Sequence, residues 1–178
     1  MTNDIEIHLK NRNFDINKYH GITLLSDAVY FPLWNFSGQL VGYQRYMPDG
    51  VKFKSNDELK GRYYTKIGFG HEKPKISVWG LDVVNGSKKD LYVVEGIFSA
   101  CRLHNIGINA IAVLNNDPKY IKSWLMSLKY NIISICDGDK AGKKLANYSD
   151  KAILLPDGIY LDEISCGNVM EIIKVGVC

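Results

Sequence analysis

Residues 90–96 read Asp-Leu-Tyr-Val-Val-Glu-Gly, and residues 132–139 read Ile-Ile-Ser-Ile-Cys-Asp-Gly-Asp. Each is a short apolar run that stops abruptly at an acid and a glycine. Runs of four or five apolar residues are too short for helices and read as strands buried on both faces. Between and after them the texture alternates: a helix over 97–105, a strand over 109–114, a helix from Asp117 to about Lys129, a helix over 140–148, a strand over 152–155 and a last helix over 169–174. Asp117 reads as the N-cap of its helix, with Pro118 at the first helical position. Strand–helix alternation implies a parallel sheet with crossover helices, whose functional sites form at the carboxyl ends of the strands. Glu95 and the Asp137/Asp139 pair fall at that edge.

Upstream the pattern differs. Residues 1–26 read as a helical or irregular lead-in. Residues 29–34 (Val-Tyr-Phe-Pro-Leu-Trp) and 39–45 (Gln-Leu-Val-Gly-Tyr-Gln-Arg) flank the turn Ser37-Gly38 and make a hairpin. Pro48-Asp49-Gly50 is a further turn, and residues 61–66 are aromatic and basic. The expected fold class is therefore α/β: a parallel sheet flanked by helices (89–178), preceded by a small α+β subdomain (1–88).

The chain has 178 residues, 46% of them hydrophobic and 23% charged, which is ordinary globular composition and excludes disordered and fibrous classes. Its net charge of +3 is compatible with a nucleic-acid partner without requiring one. The four cysteines form no C-x-x-C pair and the four histidines stand apart, so no zinc-ligand spacing is present. Cys101 and Cys136 read as small core residues of a reducing compartment. The polar N-terminus is no signal peptide and no apolar run reaches bilayer length, so a cytoplasmic protein without membrane contact is expected.

Three carboxylates at one sheet edge repel one another unless a cation lies among them. Oxygen donors without histidine or cysteine favour Mg²⁺ or Mn²⁺. Asp-x-Asp places both side chains in one turn. Any single acid here also has an ordinary explanation, since Asp139 suits the N-cap of a helix starting at Lys140. Capping does not explain Glu-Gly and Asp-Gly-Asp together.

These motifs resemble the Toprim domain shared by topoisomerases, primases and some nucleases. Asp137-Gly138-Asp139-Lys140-Ala141-Gly142 followed by Lys143-Lys144-Leu145-Ala146 is most similar to the DnaG-type primases of bacteria and phages. Phe31-Pro32-Leu33-Trp34, Gly38 to Arg45, Arg62-Tyr63-Tyr64, Val78-Trp79-Gly80-Leu81 and Leu155-Pro156-Asp157-Gly158 resemble further primase segments, so the likeness runs from about residue 28 to 165. Ser99 stands where primases usually carry an aspartate, and Tyr160-Leu161-Asp162 where they often have Asp-Pro-Asp.

The resemblance implies a DNA primase catalytic core: a nucleotidyltransferase that makes short RNA primers on a single-stranded DNA template from ribonucleoside triphosphates, with one or more Mg²⁺ or Mn²⁺ ions. It implies Glu95, Asp137 and Asp139 as catalytic residues and metal ligands, with Asp162 assisting. Arg45, Arg62, Lys66 and Lys140 are the candidates for nucleotide or DNA phosphates, their alternative being a solvated face. Asn115 and Asn116 would hydrogen-bond a nucleotide or simply shape a turn. Tyr63 and Tyr64 would stack on bases or pack in a core. Trp34 and Trp79 read as core, and His104 as a helix-end residue. A separate replicative helicase and a separate zinc-binding template-recognition module are the expected partners, as in a compact phage-like gene. Two alternatives remain at this point: a Toprim-type metal-dependent nuclease, and a non-catalytic primase-derived module that binds DNA or a replication partner.

Overall fold

The computed structural model describes residues 4–52, 60–68, 77–115, 118–138 and 142–177. The chain divides into two compact units, Met1–Trp79 and Gly80–Cys178.

The first unit opens with helix α1 (Asp4–Asn11) and a 3₁₀ turn at Ile16–Lys18, capped by the Asp15 side chain, which accepts from the Asn17 N–H at 3.0 Å. Four strands follow: β1 (Thr23–Leu24), β2 (Val29–Trp34), β3 (Leu40–Tyr46) and β4 (Tyr63–Ile67). They form an antiparallel sheet in the order β1-β2-β3-β4. The expected hairpin is β2–β3, with a register shift at Leu33/Trp34. β1 lies within the stretch expected to be helical or irregular. It pairs only with Val29 and Tyr30, and two residues carry too little periodicity to be read.

Proline inside β2 has a local reason. The Trp34 N–H turns away from β3 to the Val78 carbonyl at 3.1 Å, so the Pro32 nitrogen, two residues earlier, faces that same side. There β1 has already ended, and no ladder bond is lost. One face of the sheet holds Val29, Phe31 and Leu33, buried with Leu9, Phe14, Tyr19 and Trp79. Phe14 stacks on Tyr19 at 5.0 Å and meets Phe31 edge-on at 5.3 Å. Such pairs add about 0.5–1.5 kcal/mol beyond area burial. Trp79 belongs to this core as expected; Trp34 does not, being half-buried on the opposite face.

The second unit is a parallel sheet of β5 (Asp90–Val94), β6 (Ala110–Ala112), β7 (Asn131–Cys136) and β8 (Lys151–Leu154), in the order β6-β5-β7-β8. Its helices are α2 (Ile97–Asn105), α3 (Lys122–Ser127), α4 (Gly142–Leu145) and α5 (Cys166–Val177). Leu91–Val94 and Ile132–Cys136 are buried throughout, as strands covered on both faces must be.

Two helices are shorter than expected. The segment after Pro118 begins as a 3₁₀ turn, Lys119–Ile121, and its helix ends at Ser127; Asp117 lies outside the described residues. The stretch expected as one helix to Tyr148 is a single α turn followed by the 3₁₀ turn Ala146–Tyr148. Its apolar positions are too few to hold a longer helix on the sheet, and short 3₁₀ pieces are the usual substitute. Cys101 and Cys136 are core thiols, each 1% exposed. Among the described residues no helix is long and apolar enough to cross a membrane.

Candidate active site

β5 and β7 are adjacent in the sheet, so the residues that follow them meet at one edge. Glu95 follows Val94, the last residue of β5, and Asp137 follows Cys136, the last residue of β7. Both are half-buried. The Cys136 thiol senses both. Its pKa is pushed above the ordinary range, chiefly by burial; a bond to the Ser134 hydroxyl opposes the rise, and the charges of Asp137 and Glu95 add to it. The two carboxylates thus project their charge onto one buried atom.

Neighbouring backbone fixes the edge. The Leu114 N–H donates to the Glu95 carbonyl at 2.9 Å, and the Leu155 N–H to the Cys136 carbonyl at 2.9 Å. Leu114 has φ of 57°, a left-handed conformation costly for a leucine and typical of strained functional loops. It presents Asn115, which is exposed, just beyond the carboxyl end of β6.

The glycines of the acidic loop are there for close approach. A Cβ on Gly138 would stand 2.5 Å from the Leu155 carbonyl oxygen and 2.7 Å from the Asp157 nitrogen. A Cβ on Gly142 would stand 2.3 Å from the Asp137 carbonyl oxygen. Gly138 thus lies against the backbone beyond β8's end, and Gly142 against that of Asp137, where a side chain has no room.

Asp139, Lys140 and Asn116 lie outside the described residues. Among the described residues no group of three or more His, Cys, Asp or Glu side chains is placed to hold a metal ion. What is present is a pair of hard oxygen donors at one edge, which suits a divalent cation such as Mg²⁺ once a further oxygen ligand joins them. Asp162 sits in the turn before α5; its carbonyl accepts from Arg102 Nη2 at 2.7 Å, while Arg102 Nη1 reaches the Cys166 sulfur at 3.8 Å. Nothing in the sequence signalled Arg102 as the anchor of that turn. Ser99 is half-buried on the first turn of α2, and Tyr160 is exposed. His104 is at the end of α2 as expected, but buried, with Nε2 2.8 Å from the Ala110 carbonyl oxygen.

The remaining candidates belong to the first unit. Arg45 is 5% exposed, and its Nη2 donates to the Gly61 carbonyl at 3.3 Å. Arg62 is half-buried and its Nε donates to the Gly50 carbonyl at 3.2 Å. Lys66 is exposed. Tyr63, 49% exposed, packs on Tyr46 at 5.0 Å, and Tyr64 on Tyr43 at 6.4 Å.

No protein-family profile and no curated protein matches this sequence. Solved structures do. A structure of the DnaG catalytic core superposes with a TM-score of 0.68 at 19% identity, over 97% of this chain and 71% of that one. The chain carries the fold of a DnaG-type primase catalytic core. The primase fragment of the bacteriophage T7 primase-helicase protein matches with a TM-score of 0.59 at 15% identity, over 90% of this chain and 65% of its own. A DnaG primase catalytic domain bound to single-stranded DNA matches with a TM-score of 0.57 at 22% identity, over 95% of this chain and 61% of its own. This chain therefore spans between 61% and 71% of the length of these three structures.

Proposed function

We propose that the protein is a primase catalytic core that synthesises short RNA primers on single-stranded DNA, its parallel-sheet unit acting as a Toprim domain. The supporting observation is the placement of Glu95 and Asp137 at adjacent strand ends in a chain with the primase-core fold. The reaction is nucleotidyl transfer: the 3′-hydroxyl oxygen of one nucleotide attacks the α-phosphorus of the next triphosphate, pyrophosphate departs, and the hydroxyl proton passes to an acceptor. Such chemistry is mostly positioning and charge stabilisation.

Asp137 and Asp139, with Asp162 assisting, would hold Mg²⁺ or Mn²⁺, which when bound supplies charge stabilisation for the triphosphate. The residues of the chain do the rest. The close backbone approach at Gly138 and Gly142 limits how far Asp137 can shift. Glu95 completes the ligand set or accepts the proton, and Glu95→Gln separates these roles: lost Mn²⁺ binding marks a ligand, whereas retained binding with a slowed reaction marks the acceptor. Asn115 offers a hydrogen bond to the nucleotide. Arg62 and Lys66 supply positive charge for phosphates, and Arg suits the bidentate contact. A separate helicase and a template-recognition module complete the assignment.

The test incubates the purified chain with single-stranded DNA, four ribonucleotides and Mg²⁺ or Mn²⁺, and resolves labelled products on a denaturing gel. Short RNA that disappears in Asp137→Ala and Asp139→Ala supports the reading. A cut template without RNA replaces it with the nuclease.

A further inference from the structure

The antiparallel sheet has a second face, opposite its aromatic core. Strand pairing puts Tyr30 beside Arg45, Pro32 beside Tyr43, Tyr43 beside Lys66 and Arg45 beside Tyr64. These side chains therefore share one face. Three tyrosines run across it in a row: Tyr30 to Tyr43 with ring centroids 5.3 Å apart, and Tyr43 to Tyr64 at 6.4 Å. All three are half-buried, with part of each ring open to solvent. Beside the row lies an open groove of about 390 Å³ walled by Tyr30, Pro32, Leu40 and Tyr43. Leu40, 50% exposed, is on its rim.

The charges on this face are of one sign. No strand of the sheet contains an Asp or Glu, and Arg45 and Lys66 stand on the tyrosine side. Arg45 is the unusual one. Its guanidinium lies 5.8 Å from the Tyr64 ring centroid, and its Nε is buried without any hydrogen-bond partner. Among the described residues no carboxylate pairs with it. With one carbonyl and the Tyr64 ring as its partners, the buried guanidinium steadies Tyr64 by a cation–π contact.

We propose that this face is a base-stacking platform for single-stranded nucleic acid, with bases lying on Tyr30, Tyr43 and Tyr64 and a backbone phosphate meeting the exposed Lys66. It deepens the primase reading by naming where the template strand lies, and rests on it for the identity of that strand. Aromatic rings of this kind accept any base, because every base has a π face. With a net charge of only +3, stacking rather than long-range attraction carries the affinity.

The experiment uses the full chain and a labelled oligothymidylate, read by fluorescence anisotropy, beside an abasic strand of equal length and charge. The abasic strand should bind at least tenfold more weakly than the thymidylate. Tyr43→Ala and Tyr64→Ala should each weaken thymidylate binding about tenfold or more and leave abasic binding unchanged, whereas Tyr43→Phe should match the wild type. The abasic comparison needs no variant to fold. Equal affinity for the two strands, or loss of binding in Tyr43→Phe, overturns the platform. Primer synthesis is scored separately: a platform that binds as described in a chain that makes no primers overturns the primase reading alone, and primers made with no base-dependent binding overturn the platform alone.

Discussion

At the residue scale, Gly138 is a demanding position of the acidic edge. The atoms a Cβ would strike are backbone, of Leu155, Pro156 and Asp157, and backbone cannot swing aside. Gly138→Ala should cost about 1–3 kcal/mol, as overpacking does. That lowers the melting temperature by several degrees, at about 2–4 °C per kcal/mol for a chain of this size. Primer synthesis should fall further than stability does, since the same shift moves Asp137. Asp137→Asn should behave oppositely. It removes a charge without changing shape, so the melting temperature should hold while primer synthesis drops about a hundredfold or more. A circular-dichroism melt run beside the gel assay separates the two variants.

His8 offers a pH test in the other unit. Its Nε2 lies 2.9 Å from the Tyr46 hydroxyl, which accepts from Arg12 Nη1 at 3.1 Å. Burial lowers its pKa from 6.5; Arg12 and Arg62 lower it further, and Asp49 opposes them. A lowered pKa means that below 6.5 the unfolded chain binds the proton more readily than the folded one. Its effect is absent above that pH, and stability is lost as pH falls through 6.5 towards the folded value. Melts at pH 7.5 and 5.5 should therefore show a larger drop for the wild type than for His8→Gln. An equal drop would refute the assignment.

At the scale of elements, strands were more legible than helices. β5 and β7 are apolar runs ended by Glu-Gly and Asp-Gly, and a run buried on both faces leaves little freedom of interpretation. The segment after Gly142 is one α turn and a 3₁₀ turn, since too few apolar positions hold a longer helix on the sheet. The tyrosine row escaped for another reason. Tyr64 was singled out, but Tyr30 and Tyr43 became its neighbours only through pairing across β3, which no single strand reveals. The carboxylate edge is readable because strand–helix alternation alone puts Glu95 and Asp137 at strand ends, and these prove to be neighbours.

A hydroxyl relay ties β7 to the turn behind the acidic loop. The Ser134 and Ser149 oxygens are 2.7 Å apart, Ser149 donates to the Ala146 carbonyl at 3.2 Å, and the Cys136 thiol donates to Ser134 at 3.4 Å. Ser134 is fully buried. Ser134→Ala removes the middle of this chain and should cost about 1 kcal/mol, read as a lower urea midpoint at unchanged slope. A changed slope would mean that the unit's compactness, not this link, had altered.

At the scale of the whole molecule, the proposed chemistry divides between the two units. The acids Glu95, Asp137, Asp139 and Asp162 all belong to Gly80–Cys178, and Arg45, Arg62, Lys66 and the tyrosine row to Met1–Trp79. Each unit has its own sheet and its own buried side chains, which is what independent folding requires. A fragment of residues 80–178 should therefore melt cooperatively by itself. It should bind Mn²⁺ about as the full chain does, because every proposed ligand is retained. It should lose base-dependent binding of single-stranded DNA and make no primers, because the platform, Arg62 and Lys66 are gone. Titrating Mn²⁺ and labelled thymidylate into the same fragment measures both in one sample. A fragment that unfolds would show that its sheet depends on the other unit. One that still prefers thymidylate to an abasic strand would move base recognition to the acidic unit.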